Sequence, residues 1–309
     1  MNVVSEEYIM TYEFGDKTKP KLVILHGYLA CAMLFFRMFK YLENDFHIIL
    51  IDNLGWGASS RPKFLGRNYE DAIEFFLQIF EKWRIKMNIT DFYLVGHSLG
   101  AYIWTKYTLR YPQHVRKLAL LSPLGVESAP DNPKQYILER VPVWSFVKPM
   151  LWKIFKTSSE NQFNYLDFIR LGGRALFGLA SLFIFNRIIR PLNRRETNAY
   201  INLKTQLVMA SESTEVVITY LMENYIMPYE PILHDLDTLK KLGIEVSFSY
   251  GNDRDFLQTD FDQSGVRISD KLKEMGLDSH SIENAEHNLG LHEPEEVARL
   301  LKAFLLGEN

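Results

Sequence analysis

Gly96-His97-Ser98-Leu99-Gly100 has the residue types and spacing of a reactive serine. The pattern is G-x-S-x-G, between an apolar run, Phe92 to His97, and an amphipathic stretch, Leu99 to Tyr111. A serine hydroxyl is a weak nucleophile unless the backbone exposes it and a base takes its proton. A strand that turns sharply into a helix supplies the exposure, and the flanking glycines leave room for neighbouring chain. The hydroxyl then stands at a helix N-terminus, where a developing oxyanion is favoured. The chemistry implied is acyl transfer through a covalent serine intermediate.

A second run, Lys21 to His26, ends in His26-Gly27-Tyr28. The loop after such a strand supplies one oxyanion amide, here Tyr28 N–H, and the residue after the nucleophile, Leu99, supplies the other. Such a donor contributes about 3 kcal/mol to a transition state. His26 itself reads as a brace for the loop.

The base must come from one of eight histidines. His287 lies after the last short strand pattern and just before the terminal helix, which gives the order serine, acid, histidine. His280 and His292 read as structural. The acid belongs after the strand that ends at Gly251, where Asp253 and Asp255 both stand. Asp255 precedes apolar Phe256 and Leu257 and is the first choice; Asp253, nearer the strand end, is the alternative. Either would fix the His287 tautomer and stabilise its imidazolium.

Strand-like and helix-like segments alternate around these residues, the pattern of a mostly parallel sheet flanked by helices. The rhythm breaks between about Glu127 and Thr238, where helical patterns without good strands dominate, and resumes at Ile244 to Gly251. The economical reading is one core, residues 1–126 and 239–309, interrupted by a helical insertion, residues 127–238.

Longer stretches carry a family resemblance. HGYLACAMLFFRMF, IDNLGWGASSRPKF, FEKWRIKMNITDFYLVGHSLGAY and YTLRYPQHVRKLALLSPLGV are similar to the phospholipid-acting branch of the α/β-hydrolase (abhydrolase-domain) family. That branch includes N-acyl-phosphatidylethanolamine lipases, a mitochondrial cardiolipin deacylase, and lysophosphatidate acyltransferase-like and lipid-droplet coactivator proteins. The resemblance implies the α/β-hydrolase fold, with a helical cap after the sixth strand. It also implies cleavage of acyl ester or N-acyl bonds of glycerophospholipids through a Ser98 acyl-enzyme. Two other readings stay open: a lysophospholipid acyltransferase using the same intermediate, and a non-catalytic scaffold or membrane-complex subunit of this fold. The chain departs from the branch at Leu29, where glycine is usual, at His292, where an aspartate ends the His-x4-Asp motif, and in one extra residue in the acid loop.

Between Glu127 and Lys204 twelve Lys and Arg face six Asp and Glu, a net of +6 in a chain whose net charge is -3. The segment is also rich in Trp and Phe. Basic residues among aromatic ones suit contact with an anionic membrane or lipid-droplet surface, with Arg174, Arg187 and Arg190 as candidate contacts. The chain's overall charge offers no case for nucleic acid. No His/Cys ligand cluster and no phosphate-binding glycine loop occurs, so neither metal nor cofactor is expected. With Cys31 the single cysteine among 309 residues, no internal disulfide forms and a reducing compartment is expected. The N-terminus lacks the features of a secretory signal. The expected location is cytoplasmic, or peripheral on an organelle membrane such as that of a mitochondrion or a lipid droplet.

Overall fold

A computed structural model describes residues 7–129, 132, 134, 148–161, 164, 166–173, 190–224, 226–252, 255–258 and 266–307. Four apolar runs form strands β2 (Lys21–Leu25), β3 (His47–Ile51), β4 (Phe92–His97) and β5 (Val115–Leu121). They pair in parallel, and their residues are almost wholly buried. Continuous rather than alternating apolar runs mean that both faces are covered, as in a sheet sandwiched by helices. β8 (Glu245–Gly251) and β9 (Asp278–Ile282) extend the sheet, in the order β1-β3-β2-β4-β5-β8-β9. β1 (Thr11–Phe14) is antiparallel to β3 at the edge; its four residues are too few and too mixed to show a period.

Helices cover the two faces. Helix α1 (Tyr69–Lys86) starts where the Asn68 side chain accepts from Asp71 N at 2.8 Å, an N-cap with acidic residues in the first turn and basic ones in the last. With α2 (Leu99–Arg110) it packs Phe76, Phe80, Trp104 and Tyr107 against one face. On the other face, the C-terminal helix Pro294–Leu306 sets Val297, Leu301 and Leu305 against Leu22, Ile48 and Leu50.

Between β5 and β8 lie helices α3 (Lys148–Asn161), α4 (Leu166–Leu171) and α5 (Arg194–Met209), then a hairpin of two-residue strands, β6 (Met222–Glu223) and β7 (Met227–Pro228). The insertion therefore follows the fifth strand, not a sixth, because a single strand precedes β2 among the described residues. Nor is it purely helical, since the hairpin interrupts it. The insertion is fastened to the 53–62 loop. Thr214 Oγ1 donates to Leu54 O and Ser213 Oγ to Pro62 O, both at 2.7 Å. Buried Glu215 accepts from Arg170 at 2.5 Å and faces Arg61 at 3.7 Å.

The carboxyl ends of β2 and β4 and the first turn of α2 meet without room for a side chain at Gly96 or Gly100. A Cβ on Gly100 would lie 2.6 Å from the backbone oxygens of Leu25 and His26, and one on Gly96 would lie 2.5 Å from Ala101 Cα. Gly100→Ala is expected to cost about 1–3 kcal/mol, the usual price of overpacking against backbone. Urea unfolding of the variant, with an unchanged midpoint as the contrary outcome, checks this.

Candidate active site

Ser98 stands between β4 and α2 with φ 55° and ψ -120°, a conformation that strains any residue with a side chain. The strain is held by main-chain bonds, among them one from Tyr102 N to Ser98 O at 3.3 Å. Ser98 N donates to Leu121 O at 3.0 Å, and Ser98 O accepts from Ala101 N at 3.0 Å and Leu124 N at 3.2 Å. Gly27 presses against it from the loop after β2, so that a Cβ there would come within 2.6 Å of Ser98 Cβ.

Asp255 is wholly buried beyond β8 and accepts four hydrogen bonds. His287 Nδ1 donates to Oδ1 at 3.2 Å and Leu257 N to the same oxygen at 3.1 Å. Ser122 Oγ donates to Oδ2 at 2.5 Å, and Gly251 N at 3.2 Å. Burial pushes its pKa up, but the bonds from His287 and Ser122 and the charge of His287 outweigh it, and the carboxyl sits below its ordinary value. Its contribution to stability is thus present above the unfolded carboxylate pKa and lost as pH falls through the lower folded one. Asp253, the alternative acid, lies outside the described residues.

His287 is brought to the serine turn by His97, the residue before Ser98. His97 Nε2 donates to His287 O at 2.9 Å, and the two rings lie 4.7 Å apart. The Phe256 ring flanks His287 from the other side at 4.6 Å. His97 and Ser122 were not singled out in the sequence. Ser122 carries a positional signal, since it follows β5 at the carboxyl edge where site residues gather. His97 carries none, because any residue fits the x of G-x-S-x-G.

His26 braces the loop, as its position suggested. Its Nδ1–H donates to Gly27 O at 2.8 Å and its Nε2 accepts from Asn53 N at 2.9 Å, while burial holds its pKa down. Buried Asp52 ties the adjoining segments by accepting from Ala32 N at 2.7 Å and Ala58 N at 2.8 Å. Tyr28 sets its ring edge-on to Trp56 at 5.1 Å. Leu99 is the first residue of α2, so its N–H has no acceptor within the helix. His280 pairs with Asp278 at 2.8 Å, and His292 accepts from Glu286 N at 3.4 Å. Of the candidate lipid contacts, Arg190 is exposed, while Arg174 and Arg187 lie outside the described residues.

Residues 20–172 match a family profile described as the alpha/beta hydrolase fold. The chain carries an α/β-hydrolase domain. Over 138 residues it is 41% identical to a 1-acylglycerol-3-phosphate O-acyltransferase of Arabidopsis thaliana, which covers 44% of the chain and 33% of that protein. Over 288 residues it is 27% identical to the (lyso)-N-acylphosphatidylethanolamine lipase of Homo sapiens, covering 91% and 77% respectively. The chain therefore spans a third of the length of the acyltransferase relatives it matches. These names match the phospholipid-acting branch of the family. Among solved structures, a membrane phospholipase A described as a bacterial virulence factor superimposes with TM-score 0.63 at 20% identity, over 97% of this chain and 82% of that one. A haloalkane dehalogenase loop variant from Bradyrhizobium elkanii does so with TM-score 0.64 at 16% identity, over 98% and 95%. At such identities the likeness is one of fold.

His97 yields a measurable consequence. Burial, reinforced by the neighbouring His287 charge, lowers its pKa to about 3. The unfolded imidazole protonates near pH 6.5, so this group makes folding less favourable as pH falls from about 6.5 toward 3, by about 1.4 kcal/mol per unit. Imidazole 15N spectra are expected to show His97 as the neutral Nε2–H tautomer from pH 8 down to pH 5. A His97 signal that titrates within that range would contradict the placement.

Proposed function

We propose that the chain is a serine hydrolase that cleaves acyl ester or N-acyl bonds of glycerophospholipids, with Ser98 as nucleophile, His287 as base and Asp255 as acid. The observation that carries the reading is the His287–Asp255 contact, held beside the strained Ser98 turn by His97. Ser98 Oγ attacks the acyl carbonyl while His287 Nε2 takes its proton. The oxyanion is received by the Tyr28 and Leu99 N–H groups, donors fixed before reaction begins. His287 returns the proton to the departing lysophospholipid oxygen or amine, leaving the acyl group on Ser98. Asp255 keeps the Nδ1–H of His287 directed toward itself, so that Nε2 faces the serine. Water activated by His287 then releases the fatty acid. The names of the acyltransferase relatives favour a second reading, in which a lysophospholipid hydroxyl replaces that water.

A lipid substrate is supported by an apolar cavity of about 660 Å³ just past the oxyanion loop. Cys31, Leu34, Phe36, Tyr200 and Leu203 line it, with Asn193, Arg195, Glu196 and Lys204 as its polar residues, and its volume and largely apolar character suit an acyl chain.

A fluorophosphonate probe is expected to label the folded protein at Ser98 and not to label Ser98→Ala. Labelling that survives the substitution, or none of the wild type, would refute the acyl-enzyme. Incubating phospholipid with and without excess lysophospholipid separates the two readings: free fatty acid marks hydrolysis, and reacylated acceptor marks transfer.

Access to such substrates implies peripheral contact with an anionic lipid surface through the basic insertion. No helix among the described residues is long and apolar enough to cross a membrane. Sedimentation with anionic vesicles is expected to weaken as salt rises and to weaken on Arg190→Glu; salt-independent binding would argue against charge as the attraction.

A further inference from the structure

Leu29 follows Tyr28 in the oxyanion loop and adopts φ 53°, in the left-handed region. That region brings a side chain against the following carbonyl, and something must hold it there. Part of the hold is packing. Tyr28 and Leu29 lie in a small apolar cluster with Trp56, Leu166, Val208 and Met209, contributed by the 53–62 loop, α4 and α5. Packing of a side chain does not, however, fix the direction of the Leu29 carbonyl. That direction is set by Lys204, a buried residue of α5, whose Nζ donates to Leu29 O with the Tyr200 ring 5.4 Å away. Burial lowers the Lys204 pKa to about 8, against the opposing influence of Cys31, so the group is mostly cationic at neutral pH. Its charge reaches the site, since it helps to depress both His26 and His97.

We propose that Lys204 is a positioning residue that clamps the oxyanion loop: by holding the Leu29 carbonyl it keeps Leu29 left-handed and Tyr28 N–H aimed at the oxyanion. The inference rests on the acyl-transfer reading of Ser98. Without the clamp, Leu29 relaxes toward negative φ, and the peptide units on either side of it rotate. Tyr28 N–H is one peptide removed from Leu29, so the donor turns away from the reacting carbonyl. The cation is supplied by the insertion, 106 positions after Ser98 in sequence, so the oxyanion loop of the core is completed only when α5 is seated. The strained leucine and the buried lysine explain each other. A glycine at position 29 would take the same φ without strain and would need no clamp.

The test is a double-substitution cycle in the full chain, with Lys204→Met, Leu29→Gly and their combination, read on a soluble p-nitrophenyl acyl ester. A donor displaced by about 1 Å lowers kcat by roughly 10- to 100-fold, so Lys204→Met is expected to lose that much in kcat with little change in KM. In the Leu29→Gly background the same substitution is expected to cost less than about 3-fold, a non-additivity that marks direct coupling. Equal losses in both backgrounds, or a loss confined to KM, would overturn the clamp. Amide hydrogen exchange of the 27–32 segment gives a readout independent of catalysis. Exchange there is expected to rise in Lys204→Met while the urea midpoint stays near that of the wild type, and unchanged exchange would overturn the clamp. Lys204→Arg, which keeps the cation and its donors, replaces Lys204→Met as comparator if the methionine variant does not fold, and is then expected to protect the segment more than Lys204→Gln does. A wild type that resists the fluorophosphonate probe, while Lys204→Met still loosens the loop, sinks the hydrolase reading and with it the oxyanion role of the clamp, leaving only its hold on the Leu29 loop.

Discussion

Between the carboxyl ends of β2 and β4 there is no volume for a side chain. Gly27 touches Ser98, Gly100 touches the last carbonyls of β2, and Gly96 touches the first turn of α2. Interiors at this density do not yield to an added methyl group without moving backbone. The close approach does three things at once. It forces Ser98 into its positive φ, it fixes the start of α2, and it lays the His26–Tyr28 segment alongside the serine. Close packing therefore positions the candidate nucleophile and the candidate oxyanion segment together with the main-chain bonds at Ser98.

The polar contacts then align His287. Asp255 is wholly buried, and three of its four donors come from the strand ends of β5 and β8 and the loop that carries His287, while the fourth, Leu257 N, belongs to its own loop. A carboxylate so enclosed is tolerable only because each oxygen is satisfied. His97 adds a mechanical link, since one residue joins the serine turn to the His287 loop through a hydrogen bond to a carbonyl. An imidazole that stays neutral over the working pH range is suited to that task, because it never competes with His287 for a proton.

The insertion shapes the site as much as it shields it. Ser213 and Thr214 fasten it to the 53–62 loop, buried Glu215 faces Arg61 of that loop, and Lys204 bonds the Leu29 carbonyl. Cap and core therefore share polar contacts as well as an apolar surface. A shift of α5 would be felt at Leu29, within two residues of the site.

The sequence by itself determined the parts whose signal is local. The strand, G-x-S-x-G and helix order marked Ser98, and the order of elements marked His287, because backbone strain and strand burial are written in adjacent residues. The edge strand β1 escaped notice, since four mixed residues carry no period. Asp255 stands in sequence beside Asp253 as one of two candidate acids, and its contacts with His287 and Ser122 are visible only in the fold. What only the tertiary structure decided are the partners brought together across long separations: His97 with His287, Ser122 with Asp255, Lys204 with Leu29. Those pairings depend on where the sheet and the insertion place strand ends and helix faces in space. A lone lysine in an amphipathic helix looks the same in sequence whether it faces water or holds a strained carbonyl.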